Sequence, residues 1–335
     1  MIVFLSMSEK QTKKKFKFGF YWAASCGGCE IAVLDLNEKI LDVLNIADIV
    51  LWPVAMDVKY ADVENFPDQY MDVCFFNGSI RNSEQEHMAK LLRKKSKVLI
   101  AFGSCAHHGC IPGLANLHNR QTIFDTVYKE TVSTNNPENK RPLVNSVVKE
   151  GELIIPEFYD NVRPLDKVVD VDYYLPGCPP PVPLIINAVD AIAKGTLPQK
   201  GTVLAPIKSL CDECERNVNK EKKMPDIKRV YEIEADPKKC FLEQGIICMG
   251  PATRSGCQTR CINANWPCTG CLGPTPEVTD QGAKMISAIG SILKIDQEKK
   301  LTDAEVQALT DKIKDPIGTF YMYDLASAII YKKRK

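Results

Sequence analysis

Runs of apolar residues, some continuous and some spaced at helical intervals, give the first picture of this chain. Residues 16–22 (FKFGFYW) form a short aromatic run that predicts a strand. After the turn AASCGGC, Ile31, Leu34, Ile40, Leu41 and Leu44 recur at helical spacing, predicting a helix to about Leu44. Strands follow over 47–52 (ADIVLW), 71–77 (MDVCFFN) and the run KVLIAFG. Ser83 and Glu86 are spaced as a capping box for a helix through Arg93. Strand and helix alternate, which predicts an α/β fold with a doubly wound parallel sheet in the order 2-1-3-4-5.

Between Glu130 and Leu165 the chain is polar and proline-bearing, and reads as a long surface loop. It returns as the strand KVVDVDYYL, followed by PGCPPPVPLIINAVDAIAKG, in which Pro183 marks a helix start and Gly195 its end. Past Pro206 the alternation stops, and eight cysteines fall between Cys211 and Cys271. Residues 277–335 read as helical, with Thr302 and Glu305 as a second capping box and an apolar stretch at TFYMYDLASAIIY. The expected organisation is a flexible N-terminus over 1–15, an α/β domain over 16–200, a smaller and mostly irregular cysteine-rich domain over 201–275, and a helical segment over 276–335.

With 335 residues, 45% of them hydrophobic and 25% charged, the chain has enough apolar content to bury a core. A formal net charge of +1 gives no global signature for nucleic acid or for an anionic membrane surface. No segment reaches the roughly 18 apolar residues of a membrane span. The N-terminal apolar run precedes its lysines, the reverse of a secretory signal, and MSEK from Met7 offers a more ordinary start. Cytoplasm is therefore the expected compartment, where cysteines serve as thiols and metal ligands rather than disulfides. The lysine-rich KKKFK and KKRK ends read as solvated termini.

That compartment makes the fourteen cysteines the main chemical signal. Cys26 and Cys29 follow the first strand, Cys105 follows KVLIAFG, and Cys178 follows KVVDVDYYL. In an open α/β sheet the carboxyl ends of the strands form one rim where ligands gather, so these four thiols are predicted to meet. A thiolate quartet suits an iron–sulfur cluster or a structural zinc. Dispersal over so much chain argues against a zinc ribbon, and Pro179 after Cys178 matches a Cys-Pro step found at iron–sulfur ligands. Of the eight later cysteines, spacing alone leaves Cys248 and Cys257 interchangeable between two quartets.

The motifs FYWAASCGGCE, GSCA followed by a glycine and IPG up to Gly113, and PGCPPP, in that order, resemble the small subunit of a NiFe-hydrogenase. The resemblance implies a flavodoxin-like first domain and a proximal 4Fe-4S cluster on Cys26, Cys29, Cys105 and Cys178. It further implies a medial cluster on Cys257, Cys261, Cys268 and Cys271 and a distal one on Cys211, Cys214, Cys240 and Cys248. Many members have a histidine where Cys211 stands and only three cysteines at the medial site, so this chain is expected to carry three 4Fe-4S clusters. The sequence is most similar to methyl-viologen-reducing hydrogenases of methanogens, which do not reduce the deazaflavin coenzyme. That likeness implies a NiFe large subunit, a small 2Fe-2S subunit and heterodisulfide reductase as partners, with electrons bifurcated at the reductase flavin. The two CxxC pairs that bind nickel and iron in the large subunit have no counterpart left over here, so no catalytic residue is expected.

Outside the quartets, Cys74 reads as a buried hydrophobe and Cys110 as a thiol where the family usually has glycine. His107 and His108 read as exposed interface residues, Glu30 as a carboxylate at a helix N-terminus, and Tyr21 with Trp22 as packing. Rival readings are the small subunit of a deazaflavin-reducing hydrogenase, a complex I-like subunit, and a zinc-stabilised scaffold. Adjacent cysteines in the first motif and no eight-cysteine domain would mark the complex I-like case, so CGGC and residues 211–271 argue against it. The balanced charge, and the absence of basic residues interleaved with aromatics near the cysteines, weigh against nucleic-acid binding.

Overall fold

The computed structural model describes residues 14–218, 220–294 and 301–332. Five strands form the central sheet: β1 (Phe16–Trp22), β2 (Ala47–Leu51), β3 (Met71–Asn77), β4 (Ser96–Phe102) and β5 (Tyr173–Leu175). All neighbours pair in parallel, in the order β2-β1-β3-β4-β5. This is the flavodoxin-like arrangement expected from the alternation of strand and helix.

The continuous apolar runs are explained by cover on both faces. On one side Phe18, Phe20, Phe75 and Phe102 pack with Val33, Leu184 and Ile185, with Phe20 stacked on Phe75 at 4.9 Å between ring centroids. On the other, Tyr21, Phe76, Leu99 and the fully buried Cys74 pack with Met88 and Leu92.

Helix positions depart from expectation in two places. The segment expected as one helix to Leu44 is α1 (Gly28–Leu34), a 3-10 turn at Asn37–Lys39 and a further helix at Ile40–Ile46. Asn37 has a φ of 52°, a left-handed conformation that interrupts the helix. The break turns Ala32, Val33 and Leu36 onto the sheet, while Ile31, Leu34, Leu41 and Leu44 face outward. For α2 (Ser83–Lys95) the cap is Asn82, which accepts the Gln85 amide while the Gln85 side chain accepts the Asn82 amide. Ser83 instead accepts the Glu157 amide through its hydroxyl.

That last bond belongs to the stretch expected as plain loop. Residues 130–165 contain an exposed hairpin, Asn145–Val148 with Gly151–Ile154, and a strand, Phe158–Arg163, that pairs antiparallel with Ile80–Asn82. Each strand is too short and polar to carry a periodic signal of its own. β5 is also shorter than KVVDVDYYL suggests, because Leu165–Lys167 form a 3-10 turn just upstream.

Past β4, the helix α3 (Ser104–His108) leaves the sheet edge, and α4 (Val182–Lys194) follows β5 and ends at Gly195 in the left-handed conformation. Beyond Pro206 come short 3-10 turns at Leu210–Glu213, Glu215–Asn217, Leu242–Gln244 and Gly250–Ala252. Their core joins Leu210, Met224, Phe241 and Leu242 to Met285, Ile289 and Phe320, with Cys248 and Cys268 inside it. The tail holds α5 (Gln281–Gly290) and α6 (Asp303–Thr310), the latter capped by Thr302 and Glu305 as expected. Residues 1–13 of the expected flexible N-terminus and 333–335 of the lysine-rich tail lie outside the described residues. Among the described residues no helix is long and apolar enough to cross a membrane.

Candidate functional site

The carboxyl ends of β1, β4 and β5 carry the first cysteine group. Cys29 lies within electrostatic reach of Cys105, Cys178 and Cys26, so all four thiols converge at one rim. Cys29 and Cys105 are buried, Cys178 is half-buried and Cys26 is exposed. Burial pushes the Cys29 thiol up, and the neighbouring sulfurs and Glu30 add to the shift. Gly103 makes the approach possible: a Cβ there would stand 2.4 Å from Cys29 Sγ, and its φ of 87° is one that side chains resist. The Gly28 amide donates to Cys26 Sγ at 3.4 Å.

The other eight thiols fall into two groups. Cys211, Cys214, Cys240 and Cys248 line a single cavity together with Phe241, Leu242 and Gly250, and Cys211 is within electrostatic reach of the other three. Cys271 is in the same relation to Cys257 and Cys261, and Cys268 to Cys271. Cys248 therefore keeps company with Cys211 and Cys257 with Cys261, which spacing alone leaves open. Burial pushes Cys211 and Cys271 up to about 12 and Cys248 to about 11. Such thiols hold their protons near neutral pH, and ligation to a metal must displace them.

The three groups touch. The Cys268 amide donates to Cys248 Sγ at 3.3 Å, and Cys271 lies within electrostatic reach of Cys178. Neutral thiols are weak acceptors, whereas ligating sulfurs welcome such donors.

The donor set fits clusters better than single ions. Among the described residues no three Cys, His, Asp or Glu side chains come close enough to hold one metal ion. Zinc at about 2.3 Å from each sulfur needs that tight convergence, while a four-iron cluster keeps its four cysteines at the corners of a larger body. The Gly250 position has the shape of such a cradle, since a Cβ there would meet Cys211 Sγ at 3.3 Å and Cys248 Sγ at 3.7 Å.

Several neighbours differ from expectation. His107 and His108 are not exposed: His108 is buried, its ring stacks on His107 at 3.6 Å, and His107 stacks on Tyr174. Burial lowers both well below an ordinary histidine and keeps them neutral. Their rings pack between Tyr174 and Gly273, which a His-His pair in sequence does not advertise. Glu30 is buried in the first turn of α1, accepts from Asn77 Nδ2 at 2.8 Å, and is raised by that burial. Cys110 is fully buried with a φ of 46° and lies within electrostatic reach of Cys105 and Cys178, a fifth thiol beside the first group. Tyr21 packs inside on Phe76, but Trp22 is half-exposed with its ring over Gly27.

Two further residues have no sequence signal. Ser104 is buried, and its hydroxyl donates to the Cys271 carbonyl at 2.5 Å while accepting the Gly177 amide at 3.1 Å. Tyr323, from the C-terminal segment, lies near Cys271, Cys178 and Cys110 and bonds Thr269 at 3.2 Å.

Residues 26–192 match the family model described as NADH ubiquinone oxidoreductase, 20 Kd subunit. The iron-sulfur subunit of the F420-non-reducing hydrogenase of Archaeoglobus profundus is 41% identical, over 95% of this chain and 98% of its own length. Its counterpart in the F420-non-reducing hydrogenase of Methanothermobacter marburgensis is 38% identical over 96% of this chain and 98% of its own. The more distant delta subunit of sulfhydrogenase 2 of Pyrococcus furiosus is 27% identical over 77% of this chain and 86% of its own.

Proposed function

This chain belongs to the family of F420-non-reducing hydrogenase iron-sulfur subunits, the small subunits of NiFe-type hydrogenases, and we propose that it is a three-cluster electron conductor. In this reading Cys26, Cys29, Cys105 and Cys178 hold a proximal 4Fe-4S cluster facing the large subunit. Cys257, Cys261, Cys268 and Cys271 hold a medial one, and Cys211, Cys214, Cys240 and Cys248 a distal one. Each cluster, when bound, takes up and gives back one electron. The protein's part is to supply four sulfurs per site, to cover all but those of Cys26 and Cys261 at least in part, and to aim amide donors at the ligating sulfurs.

The observation that carries the reading is the chain of contacts between three thiol groups: the Cys268 amide donates to Cys248 Sγ, and the Ser104 hydroxyl ties the turn before Cys178 to the Cys271 carbonyl. A set of isolated structural zinc sites has no need of such joints. The extent of the match to these hydrogenase subunits also favours this reading over a complex I-like one, since it spans the eight-cysteine region as well as the first domain. The names of those relatives speak against a deazaflavin-reducing enzyme.

On this account hydrogen is oxidised in the large subunit. Its electrons leave through the distal cluster to a small 2Fe-2S subunit and on to heterodisulfide reductase, in the cytoplasm. Purification of the complex under anaerobic conditions by a tag on this chain tests the partners. A large hydrogenase subunit, a 2Fe-2S subunit and heterodisulfide reductase are expected to co-purify, and a coenzyme-binding flavoprotein in place of the reductase would contradict the assignment.

A further inference from the structure

Ser104 ties the loops of two cysteine groups together through a single side chain. It stands between Gly103 and Cys105, at the start of α3, and is 1% exposed. Its amide donates to the Gly177 carbonyl at 2.8 Å, and the Gly177 amide donates back to its hydroxyl at 3.1 Å. That reciprocal pair locks the Cys105 turn to the Cys178 turn. The hydroxyl's single proton then goes to the Cys271 carbonyl at 2.5 Å, in the other half of the molecule. Both roles of one buried hydroxyl are used, and its removal would take a partner from a buried amide and from a carbonyl at once.

The consequence falls on the next residues along. With Gly177 and Cys271 held by the same oxygen, Cys178 is fixed within electrostatic reach of Cys271. A ligand of the first group is thus held beside a ligand of the next by the two hydrogen bonds of one hydroxyl. A second joint is the Cys268 amide and Cys248 Sγ, 3.3 Å apart. There the loops are held mainly by backbone, with the Met249 amide on the Cys268 carbonyl at 2.9 Å.

Building on the three-cluster reading above, we propose that Ser104 is the positioning residue of the proximal-to-medial electron joint. It holds Cys178 beside Cys271, so that the two clusters, when bound, would be coupled across these adjacent ligands. One electron would then pass from the reduced proximal cluster, which would be oxidised, to the medial cluster, which would be reduced. No bond forms or breaks, and no proton moves. Ser104 touches neither cluster's iron, and its influence runs through the two loops.

The test uses the anaerobically purified holoenzyme with Ser104→Ala and Ser104→Thr, read by iron content and by electron paramagnetic resonance of the dithionite-reduced state. Wild type is expected to show magnetic splitting between its reduced clusters. Iron far below that of three clusters in wild type would sink the underlying reading instead of this one. Ser104→Ala is expected to keep its iron and lose the proximal–medial splitting, and Ser104→Thr, which retains a hydroxyl, to keep both. An alanine variant with wild-type iron and unaltered splitting overturns the proposal. If the alanine variant cannot hold iron, the threonine variant decides: full iron and splitting support the hydroxyl's role. Failure of both variants would reduce Ser104 to a volume constraint and overturn it.

Discussion

Asp324 and Asp280 place two carboxyl groups side by side inside the C-terminal part, and each has a different means of support. Asp280 caps α5 by accepting the Ala283 amide at 2.8 Å, and its second oxygen accepts the Ile329 amide at 3.0 Å. Asp324 is 3% exposed, and its Oδ1 has no hydrogen-bond partner among the described residues. Burial, with the Asp280 charge adding to it, pushes Asp324 up from 3.8 to about 7, against which the Gln281 amide works only in part. A raised carboxyl favours the protonated folded state, so its penalty grows as pH climbs from the unfolded value near 4 and is complete above about 7. A shift of that size corresponds to roughly 2–4 kcal/mol after allowance for relaxation. Asp324→Asn is therefore expected to raise the melting midpoint at pH 8 and to leave it nearly unchanged at pH 4, as read by calorimetry. A gain equal at both pH values would contradict the charge-burial account. Nothing in the run MYDLAS marks Asp324 as buried. Its environment is made by α5, well upstream in the chain, and local pattern cannot report it.

At the scale of elements, the turns at the strand ends do the positioning. Gly103 follows β4 with φ 87° and ψ 162°, a backbone region essentially reserved for glycine. Because a Cβ there would also stand 2.4 Å from Cys29 Sγ, Gly103→Ala should prevent the first group from closing on its cluster. The expected result is loss of about four irons per chain with the other two clusters retained, measured by iron analysis and spectroscopy. Unchanged iron would show that the Cys29 sulfur does not need this space. The same scale explains which elements can be read from sequence. β1, β3 and β4 announce themselves because a central parallel strand buries both faces and so appears as a continuous apolar run. α1 is harder: its outward Ile31 and Leu34 mimic a core face, while the residues that bury are the smaller Ala32 and Val33. The hairpin at 145–154 escapes a pattern reading because it packs nothing away, with Val147 and Ile154 largely exposed.

Across the whole molecule, the open sheet gathers thiols from three distant turns at one rim, and the irregular half brings eight more into two groups against it. The identities of the twelve cysteines are readable because no other residue type offers a soft thiolate. How Cys248 and Cys257 divide is not, since spacing permits either choice and only folding brings Cys248 into the cavity with Cys211. Nor are the joints readable. They are made by the Cys268 amide and by the Ser104 hydroxyl, and neither a backbone N–H nor a lone serine has a signature in the residue code. The candidate donors are therefore legible in the sequence, while the contacts between their groups are hidden.

The most direct test of the three-cluster account is the metal content of the full chain purified without oxygen. Three four-iron clusters predict about twelve irons and about twelve acid-labile sulfides per chain, with no stoichiometric zinc. A value near four irons, or zinc in proportion to the cysteine groups, would contradict it.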